Sequence, residues 1–457
     1  MAATTKHTTQ IQLATMPLGW RHIRIVLIAS LGQFLGQGLA TLVGIVIPLM
    51  QLASRPDLPA ALQGLMGCIS LVGIMAGTVT FGRLSDRYGY LLFFRLCPAI
   101  ILAASLTAVF IHSVYILLIC LFVMGFAIGG EYSLDPDYIS ELMPAKWKVF
   151  MVGLAKALAS AGSAFVAIVC YIIIDTEKTP DVWPLLFIIT AAISLVMLIT
   201  RIGFTQSPQW LLERGKDKAA IEAVHKLLGS DVSVGVYDKR PPKAQPGRNF
   251  MSFVRDNAAR IILTGIPWAC EGFGVYGIGI FLPVLIMSFG LDTSSESATP
   301  IMHISHSVRL TFLLCIVMMA GFGIGLAIMR HMRHLSIQSI GFWGSAIGLG
   351  ILLAAYQCHM PAWCAIVGFV IFELFLNAGP HLITFILPSQ IYPVADRGTG
   401  TGLAAGLGKA GAVIGAFIIP VLLRDGGPAT VMIVAITVMA AGGGITQFMG
   451  RYLNNHQ

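Results

Sequence analysis

The chain has 457 residues, 56% of them hydrophobic and only 11% charged, with a net charge of +8 and a mean hydropathy of +0.82. Soluble domains carry about 25% charged residues. Composition therefore excludes an ordinary soluble enzyme or binding module and indicates a chain that crosses a membrane many times. The positive charge is no sign of a nucleic-acid partner, because it falls between apolar runs and mostly on one side of them.

Twelve spans are predicted, over about 24–51, 62–82, 91–112, 114–142, 149–174, 183–203, 258–288, 308–330, 335–357, 362–390, 398–424 and 429–450. They divide the chain into a tail (1–23), a six-helix half (24–203), a linker (204–257), a second six-helix half (258–450) and a short tail (451–457). An even number of spans brings both ends to one face. On that face fall Lys6, Arg21, Arg24, Arg83, Arg87, Arg95, Lys146, Lys148, Arg330, Arg333, Arg397 and Arg451, against Arg55, Lys178, Arg309 and Arg424 opposite. Basic residues concentrate in cytoplasmic loops, so both termini are expected in the cytoplasm. The first apolar run is too long for a cleavable signal peptide.

In the first half, span one reads LGQFLGQG and offers Gln33 and Gln37 but no acid. Gln37 can hydrogen-bond a substrate but cannot carry a proton. GRLSDRYG, 82–89, joins spans two and three and holds Asp86 and Arg87. Span four ends in GGEYSLDPDYISEL, 129–142. There Glu131 and Asp135 share one helix face, Asp137 and Glu141 share another, and Pro136 is expected to interrupt the helix. A charge at membrane depth costs a few kcal/mol, so each needs a partner or a function. Glu131 and Asp135 are candidate proton-coupling groups. Asp137 and Glu141 lie nearer the helix end, where Arg83, Arg87, Lys146 and Lys148 could join them in a charge network at a cytoplasmic gate. Lys156 stands inside span five, where a place at the vestibule or an ion pair would account for it.

In the second half, span seven reads PWACEGFGVYGIGIFLP. Trp268, Glu271 and Tyr276 on such a Gly-rich helix can pack a ring or a carboxylate and hydrogen-bond it, or simply pack. Span ten carries Glu373, Asn377 and His381, the last directly after Gly379-Pro380. A histidine there can donate to an anion or make an interhelical hydrogen bond. Lys409 lies within span eleven, and a buried ammonium favours an anionic substrate or a carboxylate partner. The eight cysteines scatter through apolar runs and read as small buried hydrophobes, although Cys358 and Cys364 flank one short loop. No metal-ligand spacing, phosphate-binding Gly-rich loop or nucleophile–base arrangement occurs, so no cofactor and no enzymatic activity are expected.

An internal repeat links the halves. Glu141, Pro144 and Lys148 recur as Gln390, Pro393 and Arg397 at a constant offset of 249 residues, and the match continues from 151–167 onto 400–416. Transporters built from repeats place the substrate between the halves near the membrane midplane. One chain then suffices, so a monomer is expected.

On these motifs the chain resembles the major facilitator superfamily. GRLSDRYG is similar to that superfamily's Gly-x-Leu-x-Asp-Arg-x-Gly loop. QSPQWLLERGK (206–216) and PSQIYPVADRG (388–398) resemble two segments of the sugar-porter-like branch, with Gln390 in place of an acid. NAGPHLITFILP and GKAGAVIG resemble phosphate–proton symporters and related bacterial metabolite transporters. The resemblance implies an all-α fold of twelve transmembrane helices in two six-helix halves. It implies a cytoplasmic gate at Asp86 and Arg87 with Glu141, Lys148 and Arg397. It assigns proton coupling to Glu131 and substrate contacts to Tyr132, His381 and Lys409. It sets Glu271 near the hydroxyl-binding glutamines of sugar porters, while the acid of the phosphate symporters aligns with Gly272. The missing acid of span one departs from the family.

These observations lead to the expectation of a secondary active transporter in the bacterial inner membrane. It would move a small polar metabolite, an organic acid or other anion, by alternating access with protons. Its substrate contacts would be Gln37, Tyr132, Trp268, Glu271, Tyr276, Asn377, His381 and Lys409. Sugar or polyol symport and cation or drug efflux stay open within the same fold, as does a sensor that has lost transport.

Overall fold

A computed structural model describes residues 11–12, 16–53, 58–111, 113–229, 232–233, 250–291, 299–392 and 397–455. Eleven helical stretches among them are long and apolar enough to cross a membrane. In order they are Trp20–Ala53, Ala60–Gly82, Tyr90–Phe110, Val114–Leu142, Phe150–Glu177, Pro180–Gly203, Ala258–Ile278, Pro300–Ile328, His334–Gln357, Ala362–Pro388 and Gly400–Arg451. The last is two helices that meet at Gly427, whose φ of 69° and ψ of −177° end one helix before Pro428 starts the next. Twelve spans result, as expected, and the first begins on the face where the twelfth ends. That face is called the terminal face below, and its opposite the far face.

Two spans differ from expectation. Span eight begins at Pro300, about two turns before the predicted start, because Thr299 and Pro300 open the helix. The polar run His303, Ser305, His306 and Ser307 hides its apolar pattern in the sequence. Span four is not interrupted at Pro136; one helix runs from Val114 to Leu142. Proline removes a single backbone donor, and the packed helix on either side carries the direction through.

Three other spans are broken. Span one bends at Ser30, whose hydroxyl donates to the Val26 carbonyl at 2.7 Å. Span seven passes through a π-turn at Phe273–Ile278 and resumes helix at Leu282–Ser288. Span ten stops at Ala378, takes φ −114° and ψ −92° at Gly379, and restarts at Pro380. π-turns and discontinuous spans recur at the binding sites of transporters, where freed backbone groups line a cavity.

The repeat reappears in the packing. Gly162 on span five lies against the Phe34 carbonyl of span one, where a methyl would come within 2.0 Å. Its repeat partner Gly411 on span eleven lies against the Ala269 carbonyl of span seven, at 2.1 Å for the same test. Small residues let these backbones approach in both halves.

On the far face the halves meet closely. A methyl on Gly44 of span one would stand 1.7 Å from the Ile280 carbonyl, and one on Gly64 of span two 2.3 Å from that of Phe417. On the terminal face the segment after span six folds over the first half. Gln206 Oε1 accepts from the Tyr90 and Leu91 amides at 2.8 and 3.1 Å, and Arg214 donates to the Arg87 carbonyl at 3.1 Å. Helices Pro208–Glu213 and Asp217–Leu228 follow, and Arg21 donates to the Leu228 carbonyl. Most of the linker beyond this point, and Pro393 to Asp396, lie outside the described residues. Seven of the eight cysteines are buried and none is in a disulfide; Cys358 is exposed.

Candidate functional site

A cavity of about 260 Å³ lies between the halves. Span two (Met75, Thr78, Val79) and span eleven (Gly402, Ala405, Gly406) form its mouth toward the terminal face, where Val79 and Gly402 are exposed. Tyr132, Lys156, Trp268, Glu271, Tyr276, His381, Phe385 and Lys409 supply its interior, from spans four, five, seven, ten and eleven.

Its base is a cluster of two phenols and two ammoniums. The Tyr132 and Tyr276 hydroxyls lie 3.4 Å apart, Lys409 Nζ donates to the Tyr276 hydroxyl at 3.2 Å, and that hydroxyl donates to Gln37 Oε1 at 3.3 Å. Lys409 Nζ also stands 4.8 Å from the Tyr132 ring centre and 4.5 Å from that of Tyr276. Lys156 Nζ, from the same half as Tyr132, stands 5.3 Å from the Tyr132 ring centre. Ring faces attract ammonium groups within about 6 Å, more strongly where water is excluded. The aromatic pair thus holds two cations that no carboxylate within ion-pair distance neutralises among the described residues. The π-turn of span seven puts Tyr276 at this point, one half bringing Lys409 and the other Lys156.

Beside this cluster, His381 Nε2 lies 3.6 Å from Glu271 Oε1, an ion-pair distance that is too long for a hydrogen bond. His381 Nδ1 lies 2.8 Å from Asn377 Oδ1, and Asn377 Nδ2 donates to Glu373 Oε2 at 3.0 Å. All four side chains are buried. Trp268 and Phe385 meet edge to face at 6.3 Å and give the cavity an apolar wall.

The structure brings Tyr132, Trp268, Glu271, Tyr276, His381 and Lys409 onto one cavity. Gln37 and Asn377 stand one hydrogen bond behind it. Lys156 lines it too, although a lysine in an apolar run carries no sequence sign of which way it faces.

Glu131 and Asp135 sit elsewhere. Both are fully buried within the first half and face Arg201, at the end of span six, rather than the cavity. Arg201 Nη2 lies 2.7 Å from Glu131 Oε2 and 3.8 Å from Asp135 Oδ1, and Nη1 donates to Glu131 Oε1 at 2.9 Å. The guanidinium also donates to the Phe94 and Ala29 carbonyls at 3.1 and 3.4 Å and stacks 4.7 Å from the Phe94 ring centre. Sequence reasoning missed Arg201. Its signal was an arginine closing the apolar run of span six on the same side as the span-four acids.

Of the gate candidates, Glu141 accepts from the Ser207 hydroxyl and from the Gln209 amide at 3.3 Å, so it grips the helix after span six within its own half. Lys148 opens the helix of span five and Arg87 closes that of span two. The side chains of Asp86, Asp137 and Arg397 lie outside the described residues. A contact between halves that the sequence did not reveal is Arg330, just past the end of span eight, 4.7 Å from the Phe150 ring centre and 5.7 Å from that of Trp147. Among the described residues no cluster of metal-ligating side chains occurs.

Comparison with known proteins bears on the family and the fold. A family profile described as sugar (and other) transporter matches residues 46–450. The chain is 26% identical over 422 residues to the putative metabolite transport protein YaaU of Escherichia coli, covering 92% of this chain and 90% of that one. It is 24% identical over 443 residues to the inner membrane metabolite transport protein YgcS of the same organism, covering 95% and 93%. It is 23% identical over 442 residues to the repressible high-affinity phosphate permease of Neurospora crassa, covering 87% and 77%. Among solved structures, the partially occluded inward-open conformation of the Escherichia coli xylose transporter XylE superposes with a TM-score of 0.76 at 16% identity, over 95% of this chain and 98% of that one. At that identity the likeness concerns the fold.

Proposed function

Because the chain belongs to the sugar transporter family of the major facilitator superfamily, and is therefore a membrane transporter rather than an enzyme, we propose that its substrate is a small organic acid with an apolar body. The observation that carries this reading is the pair Lys156 and Lys409, one from each half, against Tyr132 and Tyr276 in the central cavity. Two ammoniums held against a pair of phenol rings suit a carboxylate, and the Trp268–Phe385 wall suits the hydrocarbon or ring behind it. Carboxamides, which both donate to and accept from hydroxyls, do not line this cavity among the described residues, whereas two ammoniums do. Inorganic phosphate would leave the apolar wall unused.

Transport follows by alternating access. The far face is closed through Gly44 and Gly64, and the cavity mouth lies toward the terminal face. An anion that bridges Lys156 and Lys409 binds both halves at once and so favours the state in which they are closed around it. Coupling to protons is part of the reading. Glu131 and Asp135 oppose the single guanidinium of Arg201. One negative charge is left over at full burial, and a bound proton would balance it. The protein works as a monomer in the lipid bilayer of a bacterial inner membrane, with the terminal face cytoplasmic, as its basic residues favour.

The test is a thermal-shift screen of the purified protein against phosphate, mono- and dicarboxylates, aromatic acids, sugars, polyols and organic cations. A ligand at about 100 times its Kd adds roughly 2.7 kcal/mol to native stability. A shift with organic acids that disappears in Lys156→Met and Lys409→Met supports the reading and names the compound for flux in proteoliposomes. A shift with sugars or cations that both variants keep rejects it.

A further inference from the structure

On the far side of the Gln37–Tyr276 pair lies a second cavity, of about 30 Å³, with room for ~two water molecules. Glu373 and Asn377 of span ten line it, and the central cavity begins one turn further along the same span at His381. The chain Glu373–Asn377–His381–Glu271 therefore runs from one cavity to the other.

Glu373 is 6% exposed. Around the small cavity span one presents Gln37 and Thr41, span five Ser163, and span eight Thr311 and Cys315, while the nearby stretch of span seven presents no ionisable group. Its own span adds Asn377 and, beyond it, His381, behind which stands Glu271. No lysine, arginine or histidine pairs with Glu373 among the described residues. A carboxylate so placed has a single side-chain donor, Asn377, against the cost of burying its charge.

The amide of Asn377 has a defined orientation. Nδ2 donates to both the backbone carbonyl and the carboxyl of Glu373, at 2.7 and 3.0 Å, which leaves Oδ1 for His381. His381 Nδ1 must then be the donor, and Nε2 is left without a hydrogen bond and directed at Glu271.

We propose that Glu373 is a proton-binding site of the transport cycle, distinct from the Glu131–Arg201–Asp135 cluster, and that Asn377 and His381 link its occupancy to the central cavity. The proposal rests on the reading that transport is proton-coupled. A proton carried into the small cavity as hydronium passes to a Glu373 oxygen: one hydronium O–H bond breaks, one O–H bond forms on the carboxyl, and neutral water is left behind. The hydrogen bond from Asn377 then changes from one to a charged acceptor to one to a neutral acceptor, which is about half as strong. That loosens one of the two bonds that orient the amide on which His381 rests, the bond to the Glu373 backbone carbonyl remaining, and His381 is the group that faces Glu271 and the cavity. Asn377 passes on an orientation and carries no proton itself.

Infrared difference spectroscopy of the purified full-length protein, titrated with acid in light and heavy water, tests this with protons as the only probe. The wild type should show a protonated-carboxyl band that Glu373→Gln deletes and Glu131→Gln leaves in place. Asn377→Ala should shift that band without removing it, which serves as the readout if Glu373→Gln does not fold. A spectrum unchanged by Glu373→Gln, or a band unmoved by Asn377→Ala, overturns the proposal. The coupling reading fails separately, if the acid identified by thermal shift moves through proteoliposomes with no accompanying change in lumenal pH.

Discussion

Arg201 and Glu131 form a two-pronged ion pair, Nη1 to Oε1 at 2.9 Å and Nη2 to Oε2 at 2.7 Å, with neither side chain exposed. The same guanidinium reaches backbone carbonyls of spans one and three, so one residue at the end of span six ties four helices together. Removing one member of such a buried pair is far more damaging than removing both.

Arg201→Met should therefore cost about 3–5 kcal/mol, since it leaves two buried carboxylates without a cation. Arg201→Met combined with Glu131→Gln should recover part of that loss, and Arg201→Lys should remain well below wild type because an ammonium lacks the planar fork. Thermal unfolding in detergent measures all three. A double variant no more stable than the single one would show that the two side chains are not energetically coupled.

Lys156→Met and Lys409→Met keep the aliphatic stem and remove the charge. Each should weaken binding of the transported anion by at least about tenfold, or ~1.4 kcal/mol. Tyr276→Phe, which removes a hydroxyl bonded to Lys409 and Gln37, should weaken it by a smaller amount, about 1 kcal/mol. Calorimetric titration with the acid found in the screen gives the three values.

Glu141 holds Ser207 and the Gln209 amide, so it decides whether the helix after span six stays docked. Hydrogen bonds to a charged group are worth about 1.5–3 kcal/mol. Glu141→Ala should speed amide exchange over 206–213 while leaving span four protected, and Ser207→Ala should do the same to a lesser degree. Equal protection in wild type and Glu141→Ala would remove this residue from the clasp.

Gly162→Ala drives a methyl toward the Phe34 carbonyl and should destabilise the first half by about 1–3 kcal/mol. Gly411→Ala should do the same in the second half through Ala269. Gly444→Ala, on a helix surface with nothing within 4 Å, should be neutral or slightly stabilising. Unfolding midpoints of the three variants test whether the repeat is a packing repeat.

Much of the fold was legible in the sequence because its signal is local. Apolar length sets each span. The offset between Glu141 and Gln390 marks the duplication, and in the structure Gln390 again meets a polar partner, His334, at 2.7 Å. The same local reasoning erred at Pro136 and at the start of span eight. There a proline or a polar run looks like a boundary, although packing from neighbouring helices carries the helix through.

The site was legible by residue type and not by direction. The sequence by itself singled out Glu271, Tyr276, His381 and Lys409 as polar groups within apolar helices, and the family resemblance added Tyr132; all five line the central cavity. A helix of nearly uniform hydrophobicity, however, does not reveal which face meets the other half. Only the tertiary structure turned Lys156 toward the cavity and turned Glu131 and Asp135 away from it onto Arg201. Those choices depend on the rotation of each helix about its axis. That rotation is set by contacts such as Gly162 on Phe34 and Gly411 on Ala269, between residues far apart in the chain.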